Sequence, residues 1–276
     1  MKRIFMSIVL VVIMLVTSAC SSREASAPGK EIYIALAAPL TGDYAQYGES
    51  FKKAIDLHVK AINEKGGVNG AIIKIEAFDD KNDAKEATNI AQKLVSDKKF
   101  VAVIGHFGST PSMAAAPVYQ KGGLVEFSPT SSHPEFTSQG IYMFRNVNTQ
   151  AVEGPILGEV AVNKLKKNKI AVIYINNDWG LVTKDKFIEK AEALGASIVA
   201  SEPFIGGQTK DFTPTLTKIK ELEPDLLFIA AMYSDTGLIL QQAKQLKLEV
   251  PILGPSSLNN AQLITMAGEA AEGVYL

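Results

Sequence analysis

Residues 128–134 read Ser-Pro-Thr-Ser-Ser-His-Pro: four hydroxyls, a histidine and two prolines directly behind the apolar stretch Gly123-Leu124-Val125-Glu126-Phe127. A plain turn uses one or two such residues, so this segment has polar groups to spare for holding something. Three other segments also place small polar residues behind an apolar run. They are Gly105-His106-Phe107-Gly108-Ser109-Thr110-Pro111 after Ile104, Asn176-Asn177-Asp178-Trp179-Gly180 after Ile175, and Gly254-Pro255-Ser256-Ser257 after Leu253. In the first of these, Ser109 or Thr110 suits a helix N-cap and Pro111 the first helical turn. Its glycines let the backbone approach a guest closely, and the free N–H groups of a helix start attract an anion. Taken singly, each segment is accounted for by helix capping. Four of them at strand ends point to a site for a small polar molecule.

The same residues do not assemble a catalytic constellation. His133 stands beside Ser131 and Ser132, but there is no Gly-x-Ser-x-Gly elbow, and sequence neighbours seldom form a triad. His58 lies in an amphipathic run, and His106 reads as a support for the loop that follows it. The segment "AAPLTGDYAQYG" lacks the Gly-x-Gly-x-x-Gly fingerprint of a nucleotide site. Three scattered histidines and one cysteine give no metal-ligand spacing. Asp79 and Asp80 read as capping residues before a helix at Ala84. The expectation is a binding protein, not an enzyme, with no cofactor and no metal.

The elements that position these loops alternate. Strands are expected at Ile32–Ala38, Ile72–Phe78, Phe100–Ile104, Leu124–Phe127, Ile170–Ile175, Ser197–Phe204, Asp225–Ala231 and Pro251–Leu253. Helices are expected at Phe51–Asn63, Ala84–Ser96, Pro111–Gln120, Ala151–Lys166, Gly180–Leu194, Phe212–Leu222, Asp235–Leu246 and Asn260–Ala267. Strict alternation implies an α/β chain with parallel sheets covered by helices on both faces. So many units exceed one compact sheet, and polar Arg145-Asn146-Val147-Asn148-Thr149-Gln150 interrupts the series. The expected division is lobe one over 31–149 and lobe two over 150–276. In open α/β sheets ligands bind beyond the carboxyl ends of the strands. Two of the four polar loops belong to each lobe, so the expected site is a cleft between them.

The 276 residues are 47% hydrophobic and 21% charged, with a formal net charge of −1. This balance excludes the basic stripe of a nucleic-acid binder. Lys164, Lys166, Lys167 and Lys169 read as the solvated end of a helix. Lys2 and Arg3 precede an apolar run from Ile4 to Val16, too short to span a bilayer and suited to a signal-peptide core. Small residues Thr17-Ser18-Ala19 lead to Cys20, the single cysteine. An exported chain with one cysteine has no internal disulfide, which leaves a free thiol or a lipid anchor. The order resembles a bacterial lipoprotein signal, 1–20, in which Cys20 becomes the acylated terminus; Thr17 departs from the Leu usual there. Ser21–Lys30 reads as a flexible tether.

As a set, "IALAAPLTGDYAQYGES", "INEKGGVNG", "VAVIGHFGST", "AAAPVYQKGG", "SPTSSHPEFT" and "AGEAAEGVYL" resemble bacterial leucine/isoleucine/valine-binding proteins, the type I periplasmic-binding-protein family that serves branched-chain amino-acid ABC transporters. The resemblance runs from about Glu31 to Leu276. It implies two Rossmann-like lobes joined by a hinge, an extracytoplasmic location, permease subunits as partners and a small amino acid as ligand. It further implies that Ser109 receives the ligand carboxylate and that Thr130 offers its carbonyl to the ammonium. Ser132 would reach both groups. Tyr47 and Phe107 would line the lobe-one wall, with Trp179, Met232 and Ser256 facing them from lobe two.

Two of these positions depart from the family pattern. Ser256 stands where an acid often pairs with the ligand ammonium, and Met232 where a tyrosine is common. Asp235, Asp178 or water would have to replace the acid, or the guest is an amide or a carboxylate without an α-amine, taken up or sensed. Family members also return to lobe one after the strand near Tyr275-Leu276, so lobe one is expected to be incomplete.

Overall fold

The computed structural model describes residues 30–276. Cys20, the leader and nearly all of the tether lie outside the described residues. Among the described residues ten strands and eight α-helices alternate, except that β4 and β5 follow each other with only a 3-10 turn between them. The first sheet takes β1 (Glu31–Ala38), β2 (Ile72–Asp79), β3 (Phe100–Gly105), β4 (Val125–Ser128) and β5 (Met143–Arg145), in the order β2-β1-β3-β4-β5. The second takes β6 (Lys169–Ile175), β7 (Ser197–Phe204), β8 (Leu226–Ala230), β9 (Ile252–Leu253) and β10 (Val274–Tyr275), in the order β10-β9-β8-β6-β7. Every pairing within both sheets is parallel. Each sheet with its helices is a lobe.

Most of the continuous apolar runs are strands covered on both faces, the exception being β3, where Val101 is exposed. All five residues of β8 are buried, as are Ala35–Ala38 of β1. One apolar cluster covers each face of the second sheet, and Phe187 stacks on Phe228 with ring centroids 3.7 Å apart. In the first sheet β1 is flanked by β2 and β3; in the second β6 is flanked by β7 and β8. The chain therefore changes direction across each sheet between these neighbours, and a crevice opens at their carboxyl ends. The loops following β3, β6 and β8 start there.

The helices are α1 (Ala45–Glu64), α2 (Ala84–Ser96), α3 (Ser109–Gly122), α4 (Gln150–Glu159), α5 (Asp178–Ala193), α6 (Thr213–Glu221), α7 (Tyr233–Gln245) and α8 (Ala261–Ala267). Three departures from expectation have identifiable causes. Helix α1 starts six residues before Phe51, because its first turn is held by tertiary packing. A Cβ on Gly48 would overlap the Pro39 carbonyl. The helix expected over Ala151–Lys166 ends at Glu159 and continues as a π-helical turn over Val160–Lys164. Strand β5 has only three residues, too few to show a period, and it carries Arg145 into the first sheet.

Strand β4 buries a carboxyl. Glu126 is 0% exposed, and neither side-chain oxygen makes a hydrogen bond of normal geometry among the described residues. Burial pushes this group well above the ordinary glutamate range, and the nearby His106 backbone offsets only part of that. An unfolded glutamate titrates near about 4.3. Between that value and the raised folded one, the native state holds the extra proton, so stability is highest below the unfolded value and falls as pH rises. Glu126→Gln should remove this decline. Thermal unfolding at pH 4, 6 and 8 should show variant and parent nearly equal at pH 4, with the variant gaining relative to the parent towards pH 8. A constant difference across that range would show that Glu126 does not carry the proton.

Candidate ligand-binding site

The loop after β3 feeds α3. Its N-cap is Gly108, with no side-chain cap, which corrects the expectation that Ser109 or Thr110 caps this helix. Both hydroxyls are thereby released for other work. Ser109 is buried, and its Oγ accepts the His133 N–H at 3.2 Å, leaving its own hydrogen to donate. Thr110 Oγ1 accepts the Asp178 N–H at 3.2 Å. That contact sets the first turn of α3 against the first turn of α5 in the other lobe. The initial N–H groups of each helix have no intrahelical acceptor, so positive ends of helix dipoles meet at the cleft.

Beneath the loop lies a buried polar chain. His106 Nδ1 is 2.6 Å from Asp80 Oδ2, and His106 Nε2 is 3.1 Å from the Tyr119 hydroxyl; all three residues are fully buried. Asp80 also accepts the Asn82 N–H, and Asp79 accepts those of Leu40 and Lys81. These two aspartates are loop anchors rather than the expected caps; Asp83 caps α2. The His106 carbonyl accepts the Ser128 hydroxyl at 2.6 Å, and the Phe107 carbonyl accepts that of Thr130 at 2.7 Å. Two hydroxyls of the 128–134 segment therefore tie one loop to the other. Arg145 fixes the far side, donating to the carbonyls of His133 and Pro134. His133 itself accepts the Glu135 N–H in a local turn.

Of that segment, Thr130 and Ser132 line the cleft, while Ser131 is fully buried with its hydroxyl unpartnered among the described residues. Among the described residues no donor reaches the Thr130 carbonyl. Ser132 Oγ accepts from Trp179 Nε1 at 3.1 Å and from Gln150 Nε2 at 3.2 Å, so its hydrogen is directed elsewhere. From the second lobe, Asn177 caps α5 through the Gly180 N–H and sets Trp179 in the helix's first turn. A Cβ on Gly180 would overlap the Ile175 carbonyl, so only glycine lets α5 start this close to β6. Met232 is the N-cap of α7.

Tyr47, Phe107, Ser109, Thr130, Ser132, Trp179, Met232 and Ser256 all line one cavity of about 840 Å³ between the lobes. Tyr47 stacks on Phe107 with centroids 4.3 Å apart and contacts Tyr233 at 5.2 Å. Three further bonds join the lobes, one of them between the lining residues Tyr47 and Ser257. Tyr44 donates to Asp235 at 3.2 Å, Tyr47 to the Ser257 carbonyl at 2.9 Å, and Tyr233 to the Asp43 carbonyl at 3.3 Å. Burial holds the Tyr44 and Tyr47 hydroxyls far above the normal phenol range, and raises Asp235. Neither Asp235 nor Asp178 lines the cavity. Asp235 is occupied by Tyr44 and the Gly207 N–H, so it does not replace the acid missing at Ser256.

Among the lining residues that were not anticipated, two are polar and bond to the anticipated set. Gln150 and Glu153 sit in the first turn of α4, and Glu153 Oε1 accepts the Ser256 N–H at 2.7 Å while its Oε2 accepts Gln150 Nε2 at 2.6 Å. The one sequence signal was a polar pair at i, i+3 starting from the last residue of the polar stretch 145–150, a spacing that puts both side chains on one helix face.

A family model described as periplasmic binding protein matches residues 31–276. The chain is 32% identical over 245 residues to a leucine-, isoleucine-, valine-, threonine- and alanine-binding protein of Pseudomonas aeruginosa, covering 88% of this chain and 65% of that protein. It thus spans about two thirds of that relative's length. A branched-chain amino acid transporter substrate-binding protein from Streptococcus pneumoniae, solved with isoleucine, superposes with a TM-score of 0.81 at 28% identity. The match covers 89% of this chain and 70% of that one. An ABC-transporter solute-binding protein from Rhodopseudomonas palustris, solved with 3,4-dihydroxybenzoic acid, superposes with a TM-score of 0.80 at 25% identity, covering 88% and 67%.

Trp179 is the chain's single tryptophan, 6% exposed in the closed cleft, so its emission reports closure. Tyr44→Phe leaves a buried Asp235 oxygen without its donor, at about 1–3 kcal/mol against the closed form. The variant's emission should shift to the red and acrylamide should quench it more strongly. Identical spectra would show that the Tyr44 bond does not hold the lobes together.

Proposed function

The chain belongs to the periplasmic binding protein family, and we propose from that premise that it captures a small amino acid with an apolar side chain in the interlobe cavity. It then hands this solute to the permease subunits of an ABC transporter on the extracytoplasmic side of a bacterial membrane. The observation carrying this reading is the polarity of the cavity. At one end Ser109 and Ser132 have hydroxyl hydrogens free to donate beside the N-terminus of α3, the pattern that receives a carboxylate. Tyr47, Phe107, Trp179 and Met232 supply the apolar wall for a side chain. Removing a carboxylate from water is costly unless such donors replace the lost hydration. Residues 31–149 and 150–276 act as the two lobes of this clamp. Cys20 serves as a lipid anchor that keeps the protein beside its permease.

A second reading, a sensor or uptake receptor for an amine-free carboxylate, is favoured by Ser256 in place of an acid and by the relative solved with 3,4-dihydroxybenzoic acid. A thermal-shift screen of amino acids against their deaminated acids separates the two, since stabilisation by ligand follows affinity. The deaminated acids binding tighter would overturn the amino-acid assignment. Ser109→Ala should weaken binding of the best ligand by about 1–3 kcal/mol, the loss of a charge-assisted bond, read by titration calorimetry. An unchanged affinity would place the carboxylate elsewhere. Cys20→Ser should move the protein from the membrane to the soluble fraction of the producing cell; retention on the membrane would remove the anchor.

A further inference from the structure

We infer that Glu153, with Gln150 beside it, is the amine-recognising group of this cavity, which narrows the ligand class to primary α-amino acids. The inference rests on the reading that a carboxylate docks at Ser109. Glu153 is held from two sides, by the Ser256 N–H at 2.7 Å and by Gln150 Nε2 at 2.6 Å. Both donors are neutral, so they orient the carboxylate without neutralising it. A carboxylate offers about four acceptor sites, and these bonds use two. Gln150 is 2% exposed, and both recorded bonds of its amide nitrogen, to Ser132 and Glu153, are donations. Its Oε1 is buried with no partner among the described residues. An orphaned buried carbonyl costs free energy until a donor arrives. The Thr130 carbonyl, two residues from Ser132, is also unpaired.

This end of the cavity therefore carries acceptors in excess: one carboxylate, one amide oxygen and one backbone carbonyl. An ammonium presents three N–H donors and one positive charge, which suits that set. A ligand bearing only a carboxylate would leave the Gln150 oxygen unpaired and bring a second negative charge near Glu153. The loop 254–257 contributes an N–H that orients the acid instead of an acid of its own. The recognition charge thus comes from α4, the first helix after the chain crosses between the sheets, and the loop after β9 of the same lobe orients it.

The test uses the full chain and titration calorimetry with leucine and 4-methylpentanoate, extended to the other amino acids and their deaminated acids. The parent should favour the amino acid by about 10-fold or more. Glu153→Gln keeps an oxygen for the Ser256 N–H and should lose amino-acid affinity by about 10- to 100-fold, with deaminated-acid affinity unchanged or improved. Glu153→Asp, which keeps the charge, should fall between. Melting temperatures of the free variants serve as the check on folding. Equal losses for both ligand classes, or full retention of amino-acid binding in Glu153→Gln, would make Glu153 a structural group and overturn the inference alone. A parent that binds no amino acid would overturn the amino-acid reading and this inference with it.

Discussion

Polar groups taken out of water must be re-paired, and almost every feature of the cleft follows from that constraint. A buried hydroxyl, amide or carboxyl without a partner costs on the order of 1–3 kcal/mol, and more when it is charged. The loops at the cleft carry many such groups. Most are satisfied internally: Ser128 and Thr130 on the carbonyls of residues 106 and 107, Asp80 and Tyr119 on His106, Arg145 on the carbonyls of residues 133 and 134. These bonds leave the loop little freedom to collapse onto its own unpaired atoms. The cavity lining keeps a set of unpaired groups that includes the Thr130 carbonyl, the Gln150 oxygen and the hydroxyl hydrogens of Ser109 and Ser132. A guest is recognised by how well it completes that set.

The parallel sheets decide where the set lies. Because β1 and β6 each have neighbours on both sides, the connections on either side of them leave in opposite directions and a crevice opens at their carboxyl ends. Helices α3 and α5 start at those crevices, in different lobes, and the Thr110–Asp178 bond brings their first turns together. Glycine matters here at one position above all. Without a Cβ at Gly180, α5 can start against the Ile175 carbonyl, and this seats Trp179 where its indole N–H reaches Ser132. A change at that glycine would therefore act on recognition through placement of the adjacent indole, whose partner Ser132 lies forty-seven positions away in sequence.

Strands such as β6 and β8 were legible because a strand covered on both faces must be apolar along nearly its whole length, whereas the apolar run of β3 leaves Val101 exposed. The polar loops were legible as site candidates because topology places a ligand at such ends. Element starts were less so. The first turn of α1 is held by Gly48 against Pro39 and by Tyr44 against Asp235, contacts that leave no period in the chain. Within the 128–134 segment, residue types alone could not divide structural hydroxyls from available ones; that division depends on which carbonyls the neighbouring loop presents. Glu153 was hidden for a related reason. An acid in the first turn of a helix has an ordinary explanation in the helix dipole. Its bond to Ser256 spans 103 residues and exists only once the loop after β9 folds back onto α4 within the second lobe.

Closure itself has two separable contributions. The Tyr44–Asp235, Tyr47–Ser257 and Tyr233–Asp43 bonds and the Lys210–Asp43 pair at 3.3 Å join the lobes without needing a guest. The exposed ion pair adds little to this; the buried Tyr44 bond adds more, because opening the cleft must rehydrate both of its ends. These contacts set the resting balance between open and closed forms. A ligand shifts that balance only by the difference in its affinity for the two. Groups that meet only in the closed form supply that difference: Ser132 of the first lobe with its Trp179 and Gln150 partners of the second. A molecule that touched only Ser109 and Thr130 would bind open and closed forms alike and would leave the clamp where it stood. Coupling capture to closure therefore requires the ligand to reach across to groups whose geometry the second lobe completes.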